Sequence, residues 1–223
     1  MQPDDTTKTI KTAQSWISQD KYDDIPAAII EGQRWLDALL TAKDSDPKAI
    51  GPVLGALNGR LGRMKAMNPV AWFELSDGKI AVGHRPSKKK LDELKLQGVS
   101  HVLTLLTGGE GALAVKKSVK AAGLDWIWFA MEGGDPLGPE RDSEAESLFK
   151  TLEGLLKNQS QIYIHCSAGI HRTGMIANAL LRYLALNQDA ANEALLALRQ
   201  ETSEGVGDHR LAWGKRFERL KAD

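Results

Sequence analysis

The chain has 223 residues, the size of one ordinary domain with an extension, and 42% of them are hydrophobic, which allows a full core. Its 29 Lys plus Arg cancel 29 Asp plus Glu, so no global field advertises nucleic acid or an acidic membrane surface as a partner. The one cysteine precludes an internal disulfide and fits a reducing compartment.

The opening residues, Met1 to Thr7, are polar and lack the apolar core of a signal peptide. No stretch approaches the ~18 apolar residues that would read as a membrane span. A soluble, cytoplasmic protein without membrane insertion is expected. The histidines are scattered and no cysteine pair exists, so nothing in the chain asks for a metal or another cofactor.

Residues 1–69 form a helical N-terminal extension. Ile25, Ala28, Ile29, Leu36, Leu39 and Leu40 fall at helical spacing, as do Ile50, Val53, Leu54, Leu57, Leu61 and Met64. Asp44-Ser45-Asp46-Pro47 between them is a turn, with Pro47 at a helix start. The spacing predicts two helices in an antiparallel hairpin. Gly51, Gly55 and Gly59 recur every four residues and would let another helix approach closely. The hairpin either packs on the rest of the protein or recruits a protein partner.

From Val70 onward, strand-like and helix-like segments alternate. Val70 to Leu75 and Lys79 to Gly83 flank Ser76-Asp77-Gly78, a hairpin signal. Ser87 caps a helix running to Gln97, with Leu91, Leu94 and Leu96 inward and Lys88, Lys89 and Lys90 solvated. A strand follows over Val99–Leu106, a helix over Ala112–Ala122 stopped by Gly123, and a strand over Leu124–Phe129. Trp126 and Trp128 on that strand are read as facing opposite sides of the sheet, both in the core, with one ring lining a cleft as the alternative. Arg141–Lys157 reads as a helix with Leu148, Leu152, Leu155 and Leu156 inward, and Gln161–His165 as the central strand. Helices are expected over Thr173–Asn187, Asp189–Gln200 and Val206–Leu220. Alternation of this kind predicts an α/β domain over 70–223 with a mainly parallel central sheet flanked by helices.

The run His165-Cys166-Ser167-Ala168-Gly169-Ile170-His171-Arg172-Thr173-Gly174 joins the central strand to the next helix. A loop entering a helix N-terminus points unpaired N–H groups inward and makes an anion site. A cysteine there meets the positive end of the helix and a guanidinium, which stabilises its thiolate. The expected object is a phosphate cradle with a nucleophile at its base.

This run resembles the signature loop of the cysteine-dependent protein tyrosine and dual-specificity phosphatases, HCxxGxxR followed by Thr or Ser, and meets every fixed position of it. The resemblance covers roughly residues 70–221 and implies the dual-specificity phosphatase-like fold. Within it Cys166 attacks phosphorus as a thiolate and carries the phosphoryl group. Arg172 presents a planar fork to two phosphate oxygens. The backbone of Ser167, Ala168, Gly169, Ile170 and His171 lines the phosphate, with Gly169 permitting the bend. Thr173 is placed to donate its hydroxyl to the departing sulfur, and His165 to orient the loop by hydrogen bonding. His171 is read as pointing to solvent, with added positive charge near substrate as the alternative.

The resemblance further implies a general acid on a loop roughly thirty residues before the cysteine. Asp135 lies 31 positions upstream, within Glu132-Gly133-Gly134-Asp135-Pro136-Leu137-Gly138-Pro139, whose glycines and prolines mark a loop. Asp135 is the candidate acid, and Glu132 and Asp142 are its nearest rivals. Gln200, Glu201 and Glu204 lie where a water-positioning residue is expected, without a reason to choose among them.

The expected function is phosphomonoester hydrolysis through a cysteinyl-phosphate intermediate, on a phosphorylated protein or a small phosphomonoester. The loop lacks the lysines that resemble the phosphoinositide-directed relatives, and this favours phosphotyrosine, with phosphoserine or phosphothreonine also open. A phosphatase of a small phosphorylated metabolite or phosphoinositide, a non-catalytic phosphate-binding pseudophosphatase and a rhodanese-like sulfur transferase are the alternatives.

Overall fold

The computed structural model describes residues 3–19, 25–41, 47–67 and 70–219. The chain divides into two compact units, Met1–Pro69 and Val70–Asp223, each with its own buried apolar cluster. Among the described residues no helix is long and apolar enough to cross a membrane.

The first unit holds three helices rather than two: α1 (Pro3–Ile17), α2 (Ile25–Leu40) and α3 (Pro47–Met67). The extra helix is α1. Only Ile10, Ala13, Trp16 and Ile17 form its apolar stripe among polar residues, a signal too thin to stand out but wide enough to bury one face. The predicted Asp44–Asp46 turn and the side chains of Ile25 and Ile29 lie outside the described residues. Gly51, Gly55 and Gly59 are exposed, and nothing lies within 4 Å of a Cβ built on Gly51 or Gly55, so that row is not the close-packing surface. The close approach occurs at Gly32 of α2, where a Cβ would overlap the buried Trp16 ring and come within 2.8 Å of Leu61.

The second unit is built on a five-stranded mixed sheet in the order β1-β2-β5-β3-β4, from β1 (Phe73–Leu75), β2 (Gly78–Gly83), β3 (His101–Thr104), β4 (Asp125–Trp128) and β5 (Gln161–His165). Only the β1–β2 hairpin is antiparallel. Strand β5 reads as a continuous apolar run because Ile162, Tyr163, Ile164 and His165 are all buried, as expected for a parallel strand covered on both faces. Its parallel neighbours end level with it: Gly83 pairs His165 on one side and Thr104 pairs His165 on the other. The loops leaving β2, β5 and β3 therefore start side by side, at the carboxyl edge where such sheets bind ligands.

Helices α4 (Lys88–Leu96), α5 (Ala112–Ala121) and α6 (Asp142–Lys157) connect the strands. Ser87 caps α4 by accepting from the Lys90 amide at 3.2 Å. Leu91 and Leu94 are buried, whereas Leu96 is 89% exposed, one position past the inward stripe. Helix α7 (His171–Tyr183) is buried at every residue from Arg172 to Tyr183, the mark of a helix surrounded by other elements. Behind it come α8 (Gln188–Leu198), α9 (Gln200–Gly205), α10 (Asp208–Trp213) and a 3-10 turn (Gly214–Phe217). The single helix expected over Val206–Leu220 is broken instead, with Gly207 left-handed at φ +82 before α10. Phe149 of α6 packs on Tyr183, Trp213 and Phe217 with ring centroids 5.5, 6.4 and 5.1 Å away, which fixes α10 and the turn to the core.

Candidate active site

The loop from Cys166 to Ile170 leaves β5 and enters α7, and its carbonyl oxygens are all engaged on the outside. Cys166 O meets His165 Nδ1 at 2.9 Å and Ser167 O accepts from the Arg85 amide at 3.1 Å. Ala168 O and Gly169 O accept from Arg199 Nη1 at 3.3 and 2.9 Å, Gly169 O accepts from Thr202 Oγ1 at 2.7 Å, and Ile170 O from the Gly174 amide at 2.7 Å. With the carbonyls held outward, the amides are left to converge on the inside, the arrangement of an anion-binding nest. Gly169 makes the bend at φ +70, and a Cβ there would run into the Gly83 carbonyl at the end of β2.

Cys166 is 4% exposed at the base of this loop, and the Gly169 amide donates to Sγ at 3.3 Å. Burial pushes its thiol up, but hydrogen bonds from the Thr173 hydroxyl and from the Thr173, Gly169 and Ile170 amides outweigh that effect and hold it below the ordinary thiol value. Thr173 Oγ1 is buried with no nitrogen or oxygen partner among the described residues, so its rotatable O–H is available to a charged sulfur.

His165 is fixed by a relay from the sheet. Trp126 Nε1 donates to Thr104 Oγ1 at 2.9 Å, and Thr104 Oγ1 lies 2.9 Å from His165 Nε2. The Cys166 carbonyl can only accept, so Nδ1 carries the proton and donates to it, and Nε2 of the neutral ring accepts from the Thr104 hydroxyl. Burial first, with Arg85 and Arg172 adding to it, lowers the His165 pKa to about 4 against the opposing bond to Cys166. A neutral ring that orients the loop backbone is the result.

Arg172 is buried, and Glu110 grips one edge of its guanidinium in a bidentate pair, Nη1–Oε2 and Nη2–Oε1 both 2.7 Å. Nη1 also donates to Met131 O at 2.9 Å. Hydrogen bonding to Arg172 is the main reason the Glu110 carboxyl is lowered to about 2, against partial desolvation. Hydrogen bonding to Glu110, joined by attraction to Cys166 and Glu110, raises Arg172 in turn against its burial. Glu110 is itself set by a reciprocal turn, with the Thr107 amide donating to Oε2 at 2.9 Å and the Glu110 amide donating to Thr107 Oγ1 at 3.2 Å.

The candidate acid stands apart from this cluster. Asp135 is 92% exposed, 3.7 Å from Arg210 Nη2, and no hydrogen bond among the described residues joins it to Cys166 or Arg172. Its neighbour Gly134 touches the cradle rim, since a Cβ on Gly134 would lie 3.3 Å from His171 Cβ. His171 points to solvent. Its pKa is lowered by partial burial and by the charges of Arg210, His209 and Arg172, with Asp135 opposing them.

The family model described as polymorphic toxin system, DSP-PTPase phosphatase, matches residues 78–185. Over these residues the chain is similar to dual-specificity and protein-tyrosine phosphatases. Solved structures share the fold. A kinase associated phosphatase (KAP), with its catalytic-site cysteine changed to serine, superposes at TM-score 0.56 and 19% identity over 67% of this chain and 93% of its own. Tk-PTP in its active form gives TM-score 0.52 and 20% identity over 67% and 97%. A protein tyrosine phosphatase (putative) from Leishmania major gives 0.51 and 18% over 68% and 100%. Among curated proteins, none matches this chain.

Several residues of the candidate site come from segments that carry no motif. Thr104 closes β3, and Glu110 sits in the Gly-rich turn after it. Arg199 is the extended break between α8 and α9, at φ −169, from which its guanidinium reaches the loop carbonyls and His84 Nε2 at 2.8 Å. A lone acid in Thr107-Gly108-Gly109-Glu110-Gly111, following a strand that ends beside the Cys166 loop, is the one signal that could have singled out Glu110. Trp126 and Trp128 correct the sequence reading. Residues two apart on a strand share a face, and their rings stack with centroids 5.5 Å apart. Trp128 is 44% exposed and donates to Leu106 O at 2.7 Å, so only Trp126 is packed against the core.

Proposed function

We propose that this phosphatase domain hydrolyses phosphomonoesters through Cys166, without a metal, and that its substrates are phosphotyrosine or dual-specificity phosphoprotein sites. The supporting observation is the environment of Sγ: a thiol lowered below its ordinary value inside a ring of amides, with a carboxylate-braced guanidinium opposite. The Cys166 thiolate attacks phosphorus as the bond to the leaving oxygen breaks, and Asp135 gives that oxygen its proton. Water then attacks the thiophosphate, Asp135 takes the water's proton, and the sulfur departs as a thiolate that accepts a hydrogen bond from Thr173. Arg172 and the loop amides hold the three equatorial oxygens throughout, most tightly where charge is largest.

The test is hydrolysis of p-nitrophenyl phosphate at pH 5–8 without added metal, followed by phosphotyrosine and phosphoserine peptides. Activity that Cys166→Ser abolishes supports the reading. Asp135→Asn should lose more on the phosphotyrosine peptide than on p-nitrophenyl phosphate, whose leaving group hardly needs a proton. A wild type that binds phosphopeptide without turnover overturns the reading in favour of a binding module.

A further inference from the structure

Arg210 is the residue of α10 that faces the acid loop, and each of its guanidinium nitrogens has a task. Nε donates to Gly134 O, Nη1 donates to Val206 O at 2.8 Å, and Nη2 stands 3.7 Å from Asp135 Oδ1. The side chain is 13% exposed, and Val206 is wholly buried, so the fork is referenced to the core rather than to solvent. Beyond Asp135 the same C-terminal segment binds the loop again: Leu137 O accepts from Trp213 Nε1 at 3.1 Å and from Arg216 Nη1 at 3.0 Å. Gly134 and Leu137 are therefore both tethered, and the two residues between them are Asp135 and Pro136. Trp213 is in turn part of the aromatic cluster with Phe149 and Phe217.

We propose that Arg210 is a positioning residue for the general acid: it fixes the backbone just before Asp135 and draws the carboxylate toward α10. The proposal rests on the reading of Asp135 as the acid. A proton donor must be held where the leaving oxygen will be, and a small misplacement costs much of its effect. Two tethers leave the Asp135 side chain little beyond its own torsions to adjust. The planar fork is what permits a backbone bond and an ion pair from one side chain, which a lysine could not supply.

The experiment compares phenyl phosphate, whose phenoxide leaves poorly, with p-nitrophenyl phosphate. Asp135→Asn is expected to lower kcat about 100-fold on phenyl phosphate and far less on p-nitrophenyl phosphate. Arg210→Ala is expected to lower it about tenfold on phenyl phosphate and at most about twofold on the activated ester, with the thiol limb of the pH–kcat/KM profile unmoved. The double variant should be no slower on phenyl phosphate than Asp135→Asn alone, because both changes remove one function. Equal losses on the two substrates, or losses that add in the double variant, overturn the proposal. Should Asp135→Asn lack the leaving-group dependence, the acid assignment fails and Arg210 falls with it; should only Arg210→Ala lack it, the acid stands and Arg210 alone is refuted. If Arg210→Ala does not fold, Arg210→Gln keeps a donor for Gly134 O without the charge. A smaller loss confined to phenyl phosphate then supports the proposal, and an equal loss on both esters refutes it.

Discussion

His165 holds the Cys166 loop by being neutral, and that has a cost in acid. Its folded pKa of about 4 lies below the ordinary histidine value of about 6.5, so in that window the unfolded chain binds the proton and the folded chain does not. Stability is complete above about 6.5 and is lost as pH falls toward 4, by on the order of 3 kcal/mol. Urea unfolding of wild type and His165→Gln at a series of pH values should show a shallower fall for the variant across that window. Glu110 has the opposite chemistry. Its carboxyl is lowered to about 2, so the stabilisation from its pair with Arg172 is present above the ordinary carboxyl value and is lost only as pH falls through about 2. The Arg172 fork thus stays braced throughout the pH 5–8 range of the assay. Glu110→Gln keeps the size but removes the charge that balances a buried guanidinium, and kcat/KM should drop about tenfold as the fork loses its orientation. An unchanged kcat/KM would show that the backbone bond to Met131 suffices.

At the scale of the element, the strand–loop–helix unit carrying Cys166 was legible because its pattern is local: the thiol, the guanidinium, the bend and the hydroxyl lie within eight consecutive residues. The parallel sheet was legible too, since β5 carries the continuous run Ile162-Tyr163-Ile164, buried without alternation. What remained hidden is whatever reaches the site from a distance. Glu110, Arg199, Thr202 and Arg210 have ordinary polar surroundings in sequence and meet the Cys166–Arg172 loop or the Asp135 segment only when the sheet and the C-terminal helices pack together. The thin stripe of α1 was invisible for a different reason, because a narrow apolar face on a polar helix carries little signal until its partners are known. The bend itself supplies a sharp test. Gly169→Ala would place a Cβ on a left-handed residue and against the Gly83 carbonyl, costing roughly 1–3 kcal/mol in backbone strain alone. Loss of p-nitrophenyl phosphate hydrolysis with a lowered Tm is expected. A variant of normal activity would mean the loop does not need this conformation.

At the scale of the whole molecule, the two units have separate cores, one around Trp16 and Leu57 and the other around the five-stranded sheet. Each has the apolar interior that independent folding requires. A protein of residues 70–223 alone should hydrolyse p-nitrophenyl phosphate within about twofold of the full chain. Trp16→Ala, which empties the centre of the first core, should cost that unit about 3–5 kcal/mol while sparing turnover of this small ester. A large fall in activity from either change would assign the N-terminal helices a part in the catalytic cycle.

Helix α7 is enclosed on every side from Arg172 to Tyr183, and this makes the enzyme its own thermometer. Arg172, to which the proposed reaction gives the phosphate, is also the first buried residue of this helix, so the loop is anchored in the core at its carboxyl end. Heating should therefore abolish turnover and far-UV ellipticity of the 70–223 unit along one curve, with catalytic rate serving as a continuous optical-free gauge of the folded fraction.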